Sequence, residues 1–213
     1  MRGSSTPVRD PAEFQARMRM PFATIGIATD GRAVTRVAYL PASLPELPAR
    51  EAVAGRAVRE LERYLDDPDF RFTLPLAPRG TPFQRRAWDA ILDIPAGESR
   101  TYGELARKLV TAARAVGQAC GANPIAMIIP CHRVVGSLGA LGGFMGTAGS
   151  FAPSSAGDLF AESGSDPAFA PRSSPVAGSP PGKTGSGPDF RDPRFPAAIK
   201  RWLLNHEGYR FGQ

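Results

Sequence analysis

The sequence has few residues that cross-link a chain or bind a metal: two cysteines and two histidines among 213 residues. A disulfide framework or a structural zinc site needs more such ligands at fixed spacings, so the composition excludes both. No apolar run approaches the roughly 20 residues of a membrane span, and the polar residues 1–11 do not resemble a secretion signal. We therefore expect a cytoplasmic protein without membrane contact, in a reducing compartment where a free thiol persists.

Acidic residues are outnumbered by basic ones. The chain has 26 lysines and arginines against 20 aspartates and glutamates, which gives a net charge of +6 and a pI near 9.9. A positive balance favours a polyanionic partner such as nucleic acid.

Residues 145–195 lack the periodicity of a folded segment. They are dominated by Gly, Ser, Pro and Ala and show no sustained period of 2 or 3.6 residues. Such a segment cannot bury enough apolar surface to offset its chain entropy. We predict a disordered insertion here.

The first part of the chain, residues 1–78, predicts a small α+β domain. Two β-prone runs are joined by Asp30-Gly31, a strong hairpin signal. A helical period and a later alternation of apolar residues follow. The predicted strands are Phe22–Thr29, Ala33–Leu40 and Phe70–Leu76, and the predicted helix is Arg50–Asp66.

The second part, residues 79–213, predicts helices interrupted by the insertion. Thr81-Pro82-Phe83-Gln84 and Thr101-Tyr102-Gly103-Glu104 both match the capping-box pattern that begins a helix. The first helix is expected to bury Phe83, Ala87, Trp88, Ile91 and Leu92. The second, through Lys108, and a following helix at Thr111–Cys120 fit a helix-turn-helix. A last helix is predicted at Pro196–Glu207, with Gly208 as its carboxyl-terminal cap.

The run Ile129-Pro130-Cys131-His132-Arg133 places a thiol beside an imidazole. A thiol reacts as the thiolate, and its ordinary pKa of about 8.5 leaves little thiolate at neutral pH unless a base or cation assists. Side chains of neighbours in a regular element point in different directions, so either a water relays the proton or the turn is irregular. Glu207 is a candidate to orient His132; a solvated carboxylate near a helix end is the alternative.

Several motifs occur in one order along the chain and together resemble the O6-alkylguanine-DNA alkyltransferase family, the methylated-DNA–protein-cysteine methyltransferases. The Pro-Cys-His-Arg-Val core is the most specific of them. The resemblance covers Thr81 to about Gly146 and Pro196 to Gly208. The motifs are Thr81-Pro82-Phe83-Gln84, Tyr102-Gly103-Glu104-Leu105-Ala106, Ala113-Arg114-Ala115-Val116-Gly117, Asn123-Pro124, Ile129-Pro130-Cys131-His132-Arg133-Val134-Val135, Lys200-Arg201-Trp202-Leu203-Leu204 and His206-Glu207-Gly208.

The resemblance implies an α+β fold with a ribonuclease-H-like amino-terminal domain and a helical, winged-helix-like carboxyl-terminal domain. It also implies a DNA-repair enzyme that flips a damaged guanine out of the duplex and moves its O6-alkyl group irreversibly to a cysteine. The partner is double-stranded DNA containing O6-alkylguanine, the protein is a monomer, and no cofactor is needed because the damaged DNA is the alkyl donor.

The same resemblance assigns the reacting residues. Cys131 matches the alkyl acceptor, His132 the base that acts through water, and Glu207 the carboxylate that orients His132. Asn123 matches a hinge residue that braces the segment before the cysteine. Tyr102 matches a tyrosine that contacts the target nucleotide and donates a proton to the leaving guanine.

The DNA-binding residues follow from the resemblance as well. Arg114 matches the arginine that fills the space left by the extruded base, and its small neighbour Ala113 allows close approach of the backbone. Val134 matches a position whose backbone reads the guanine edge. Phe144, where many relatives have tyrosine, and Met145 belong to the pocket loop. We expect minor-groove binding that is sensitive to salt.

Two other classes are compatible with parts of the pattern. A non-catalytic protein that recognises alkylated DNA resembles this family but lacks the acceptor cysteine, so the presence of Cys131 disfavours it. A Cys-His hydrolase needs an oxyanion hole, for which the sequence offers no signal.

Overall fold

The computed structural model describes residues 13–137, 141 and 195–209, and in these ranges it has a mixed content of five α-helices and two small sheets. This agrees with the predicted α+β class. No helix within the described ranges is long and apolar enough to cross a membrane. Phe144, Met145 and the insertion predicted at 145–195 lie outside them, except for Phe195. Phe195, at the approximate end of that segment, is buried in the core as the first residue of a helix.

A three-stranded antiparallel sheet opens the described chain. Asp30 Oδ1 accepts hydrogen bonds from the backbone N–H groups of Arg32 and Ala33 at 2.9 and 2.8 Å, and Gly31 has a φ of 84°. Glycine adopts that backbone conformation without steric cost, so the predicted hairpin turn is confirmed. The strands, in the spatial order β1-β2-β3, are β1 Ala16–Arg19, β2 Thr24–Thr29 and β3 Val34–Leu40.

Helix α1, Ala52–Asp66, packs against this sheet, as the helical period of the sequence predicts. Ala57, Leu61 and Tyr64 are on its buried face. The strand predicted at Phe70–Leu76 is wrong: this segment forms only one isolated bridge, between Leu76 and Val34. Its alternation of buried and exposed side chains is real, but the segment has no neighbouring strand along its length and forms no ladder.

Helix α2, Pro82–Leu92, begins at the predicted capping box. Thr81 Oγ1 accepts from the N–H of Gln84, and the Gln84 side chain accepts from the N–H of Thr81. The predicted buried face is correct for Trp88, whose Nε1 donates to Ala119 O at 2.8 Å, and wrong for Leu92, which is 42% exposed. Leu92 is the last residue of the helix, and the chain turns back into the core at Ile94.

The predicted helix-turn-helix consists of α3, Tyr102–Leu109, and α4, Ala113–Gly121, which pack against each other. Thr101 and Glu104 form the second predicted capping box. The connecting turn places Val110 in the left-handed region, with a φ of 52° and an exposed side chain. A β-branched residue is strained in that conformation, so the short turn has an energetic cost.

Two short parallel strands and the last helix complete the fold. Strand β4, Arg100–Thr101, pairs with β5, Val134–Val135, and α5 spans Phe195–His206. Gly208 has a φ of 72°, with its N–H bonded to Asn205 O and the N–H of Tyr209 bonded to Leu204 O. This pair of bonds is the Schellman motif, so the predicted glycine cap is confirmed.

The two halves of the chain share one hydrophobic core, which extends from Ala16 in β1 to Leu203 in α5. They are also joined through the backbone. The N–H of Val37 donates to Pro124 O at 3.0 Å, and the N–H of Ala126 donates to Val37 O at 3.1 Å. Strand β3 therefore holds the segment that leads from Asn123 towards Cys131. The domain boundary at residues 78 and 79 remains a prediction.

Candidate active site

Residues Cys131–Arg133 form a single 3-10 turn, closed by a hydrogen bond from the N–H of Arg133 to Pro130 O at 2.9 Å. A 3-10 turn has three residues per turn, so consecutive side chains point about 120° apart. Cys131 and His132 accordingly point in different directions although they are neighbours. The turn therefore does not bring the thiol and the imidazole into contact, and the water relay, the other possibility left open by the sequence, stays a prediction.

The sulfur of Cys131 lies in the core, with the residue only 5% exposed. Asn123 Nδ2 donates to Cys131 Sγ at 3.2 Å and to Ile129 O at 2.9 Å, while Asn123 Oδ1 accepts from the N–H of Ile125 at 2.9 Å. The side chain of Asn123 thus ties together both ends of the segment that precedes the cysteine.

A second cysteine, Cys120, influences the pKa of Cys131. Cys120 is in the last turn of α4. Its side chain and burial raise the pKa of the Cys131 thiol, while Asn123 and the Lys200 cation lower it. The raising effects dominate, so Cys131 is a protonated thiol at neutral pH and needs a base to become a nucleophile.

His132 is fully buried, and its Nε2 lies 2.9 Å from Glu207 Oε1. An ionised carboxylate only accepts, so the imidazole proton is on Nε2 and Nδ1 is the basic nitrogen. Among the described residues Nδ1 has no hydrogen-bonding partner. Burial lowers the pKa of His132, although Glu207 opposes this, so the ring is neutral at pH 7.

Glu207 is the centre of a hydrogen-bonding network. Its Oε1 accepts from Tyr64 OH at 2.7 Å and from Arg133 Nη2 at 2.8 Å, and its Oε2 accepts from Arg133 Nε at 2.9 Å. Burial alone would raise the pKa of this carboxyl, but His132 and Arg133 outweigh it and lower the pKa to about 2. Glu207 is therefore a buried, paired carboxylate, and the solvated alternative considered from the sequence is wrong.

The backbone around Glu207 is fixed by two glycines. Gly208 allows the cap that ends α5 directly after it. Gly97 has a φ of 73°, and a Cβ there would lie 3.1 Å from the Glu207 carbonyl oxygen. A side chain at position 97 would both strain the loop and displace the network.

Lys200 is a buried cation beside the reacting residues. Its Nζ donates to Val134 O at 2.6 Å and lies 5.7 Å from the centre of the Tyr102 ring. Burial lowers the pKa of Lys200 to about 8, and the nearby Cys120 and Cys131 thiols oppose the shift. At neutral pH it is still charged and favours a thiolate at Cys131. The resemblance assigns the backbone of Val134 to guanine recognition, and this lysine is bonded to the Val134 carbonyl.

The other predicted residues lie on the helix-turn-helix. Tyr102 is the first residue of α3 and is half-buried near Gly117 of α4. Arg114 is exposed in the first turn of α4, next to the half-buried Ala113. Phe144 and Met145, assigned to the pocket loop, lie outside the described residues.

A cavity of about 280 Å³ lies elsewhere, between α2, β4 and α3. Asp93, Arg100 and Lys108 are among its lining residues, and none of its lining residues is a predicted site residue. In the described ranges no group of three or more His, Cys, Asp or Glu side chains is arranged to hold a metal ion.

Sequence reasoning did not assign a role to four residues of this site: Tyr64, Cys120, Arg133 and Lys200. Arg133 and Lys200 occur inside the quoted motifs, which was the available signal. The helical period places Tyr64 on the buried face of α1, but its partner is 143 residues away. Nothing in the sequence signals that contact.

Comparisons with known proteins show which family this chain is similar to. A family model described as the DNA-binding domain of 6-O-methylguanine DNA methyltransferase matches residues 82–153. A methylated-DNA–protein-cysteine methyltransferase from Mycobacterium bovis is 42% identical over 133 residues, which are 59% of this chain and 80% of that protein. Its counterpart from Methanosarcina acetivorans is 50% identical over 90 residues, which are 41% of this chain and 58% of that protein.

A solved structure is similar as well. The crystal structure of Mycobacterium tuberculosis OGT in complex with DNA has a TM-score of 0.54 and 40% identity, covering 61% of this chain and 83% of that chain. Fold and matches define one class, the DNA-binding methyltransferases. The chain belongs to the methylated-DNA–protein-cysteine methyltransferase family, a family of enzymes.

Proposed function

We propose that this protein repairs DNA by moving the O6-alkyl group of a guanine to Cys131 Sγ, one group per molecule. The observation that carries the proposal is the setting of Cys131: its sulfur accepts from Asn123, the Lys200 cation favours its thiolate, and its neighbour His132 has an Nδ1 without a partner among the described residues. A protonated, buried thiol flanked by a neutral imidazole is suited to a reaction that begins with removal of its proton.

The proton leaves Cys131 first. A water between Sγ and His132 Nδ1 carries it to the imidazole, since the two side chains of the 3-10 turn diverge. Glu207 holds the opposite nitrogen and stabilises the imidazolium that forms. Lys200 stabilises the thiolate. Asn123 keeps the sulfur in place through its amide.

The thiolate then attacks the alkyl carbon opposite O6. The S–C bond forms while the C–O6 bond breaks, and the electron pair stays on the guanine. Tyr102 donates its proton to the leaving base and regains one from the imidazolium through solvent. Burial raises the pKa of Tyr102, so it is protonated when the base arrives. The thioether product has no good leaving group, so each molecule reacts once.

The helix-turn-helix supplies the approach to DNA. The O6 atom of a stacked guanine cannot reach a sulfur that is only 5% exposed, so the base must leave the duplex. Arg114, exposed at the start of α4, fills the space in the stack, and the small Ala113 lets the backbone come close. The partner is double-stranded DNA containing O6-alkylguanine, bound in the cytoplasm by a monomer.

The test is incubation with duplex DNA containing O6-methylguanine, followed by intact-protein and peptide mass spectrometry. We expect one methyl group on Cys131, never more than one per molecule even with excess DNA. Cys131→Ala should gain none, whereas Cys120→Ala, which removes the neighbouring thiol, should still gain one. Repeated turnover would indicate a hydrolase. DNA binding without methyl transfer would indicate the non-catalytic recognition protein.

A further inference from the structure

Tyr64 connects the amino-terminal part of the chain to the site. It is in the last turn of α1, its side chain is only 1% exposed, and its hydroxyl donates to Glu207 Oε1 at 2.7 Å. The acceptor is charged, so this is a charge-assisted bond rather than an ordinary way to satisfy a buried hydroxyl.

One oxygen of Glu207 has three partners. Oε1 contacts Tyr64 OH, His132 Nε2 and Arg133 Nη2 at 2.7, 2.9 and 2.8 Å, whereas Oε2 contacts Arg133 Nε. The Arg133 fork fixes the plane of the carboxylate. The charge on Oε1 is therefore divided among three donors, and a change in one donor alters what remains for the other two.

We propose that Tyr64 is a positioning residue of the alkyl transfer, because its hydroxyl takes part of the charge of Glu207 Oε1 and so limits how strongly Glu207 holds a proton on His132. This inference rests on the proposed function of Cys131 and His132. It gives α1 a part in the chemistry, beyond supporting the fold.

Contacts of its backbone and ring fix the orientation of Tyr64 and therefore of its hydroxyl. Its carbonyl oxygen lies 2.8 Å from His206 Nε2, and its ring packs edge-on against the His206 ring at 5.2 Å. Phe72 also packs on the Tyr64 ring, with ring centres 5.4 Å apart. These contacts hold the ring while its hydroxyl is bonded to Glu207.

The charges around the imidazole define the direction in which the pKa of His132 should change when the Tyr64 hydroxyl is removed. His132 faces Glu207, Arg133 and Lys200, and Glu207 faces Tyr64, His132 and Arg133. Tyr64 faces Glu207, Arg133 and Tyr39 besides the His206 ring, and burial raises its pKa, so it remains a donor. Without the hydroxyl, Glu207 binds the His132 proton more strongly and the pKa of His132 rises.

The experiment compares Tyr64→Phe with the unmodified protein by NMR titration of the imidazole and by the pH dependence of single-turnover methyl transfer. The chain has only two histidines, so the signals of His132 and His206 can be assigned. We expect the pKa of His132 and the acid limb of the rate profile to move up together by about one pH unit. Transfer then slows about tenfold below that limb and changes less than about twofold above it.

Two further variants separate this role from packing. Phe72→Leu loosens the contact with the Tyr64 ring without touching Glu207, so it should lower the melting temperature and leave the pKa of His132 unchanged. Site-specific 3-fluorotyrosine at position 64 keeps the shape and is a stronger donor, so it should lower the pKa of His132.

An unchanged pKa of His132 in Tyr64→Phe, or equal shifts in Phe72→Leu, would overturn the proposal. The NMR titration needs no methyl transfer. If the unmodified protein transfers no methyl group, the proposed function fails, while the titration still decides whether the Tyr64 hydroxyl sets the pKa of His132.

Discussion

Asn123 Nδ2 lies 3.2 Å from Cys131 Sγ, and the same amide group holds Ile129 O at 2.9 Å. One side chain thus sets both the backbone path into the 3-10 turn and the electrostatic surroundings of the sulfur. Cys120 acts on the same sulfur in the opposite sense. The pKa of Cys131, and with it the fraction of thiolate, depends on the balance between these opposing neighbours. Substitutions can test each neighbour separately.

Replacing Asn123 with alanine should make Cys131 less reactive. The thiolate loses a hydrogen-bond donor, so the pKa of Cys131 rises further, and both methyl transfer and iodoacetamide labelling should slow about tenfold. Single-turnover kinetics between pH 7 and 9 measure this. Gln118→Ala, an exposed position on α4, is the control and should react normally. Equal rates in both variants would exclude a role for the amide.

Replacing Cys120 with alanine should have the opposite effect. Its side chain favours the protonated form of Cys131, so removing it lowers the pKa of Cys131 and should speed labelling at pH 8 about threefold. Cys120→Ser retains a hydroxyl able to hydrogen-bond and should change the rate less. Slower labelling in the alanine variant would contradict the assigned direction.

Glu207→Gln should change how stability depends on pH. The folded-state pKa of Glu207 is lowered from 4.5 to about 2, so its stabilisation is complete above pH 4.5 and is lost as pH falls towards 2. At pH 7 the variant should be about 3 kcal/mol less stable, because the Arg133 guanidinium loses its buried partner.

Urea unfolding at pH 7, 4 and 2.5 measures this difference. The gap between the unmodified protein and Glu207→Gln should narrow as pH falls. The exposed Glu62 is the control, and Glu62→Gln should track the unmodified protein throughout. A gap that stays constant down to pH 2.5 would mean that the carboxylate charge does not stabilise the fold.

Arg114→Ala should impair the reaction with DNA and leave the fold intact, because the side chain is exposed. We expect duplex binding to weaken and the slope of log affinity against log salt to fall by about 1. Arg114→Lys keeps the charge and should restore the salt slope but not the rate of transfer from duplex DNA, because lysine cannot stack as a planar group.

A free O6-alkylguanine base distinguishes base extrusion from chemistry. Since it needs no extrusion, both Arg114 variants should react with it at the unmodified rate. Impaired reaction with the free base would place Arg114 in the chemical step and contradict its assignment to the DNA stack.

The parts of this fold that the sequence predicts are those determined by near neighbours. The capping boxes at Thr81 and Thr101 and the glycine cap at Gly208 each depend on residues within one helical turn, and all three are present. Strand β1 was missed because it has only 4 residues: Arg17 and Arg19 alternate with apolar residues as in a half-buried strand, but the pattern is too short to stand out.

The site residues also divide into those visible in the local sequence and those brought together by distant contacts. Cys131 and His132 are adjacent, so their pattern is visible in the sequence. The carboxylate that holds His132 is 75 residues away, and the tyrosine that completes the network is 143 residues from that carboxylate. Contacts at such separations are set by packing of the whole chain, which no local period encodes. The residues alone left Glu207 as a candidate beside the solvated alternative, and the family resemblance favoured the orienting role.

The two backbone hydrogen bonds between β3 and residues 124 and 126 bear on any attempt to trim the protein. A fragment starting at residue 79 would keep every amino acid that the sequence assigns to alkyl transfer. It would also lose the strand that anchors the stretch between Asn123 and Cys131. Such a shortened enzyme would retain its reactive groups without the frame that spaces them, so a minimal version must include the amino-terminal sheet.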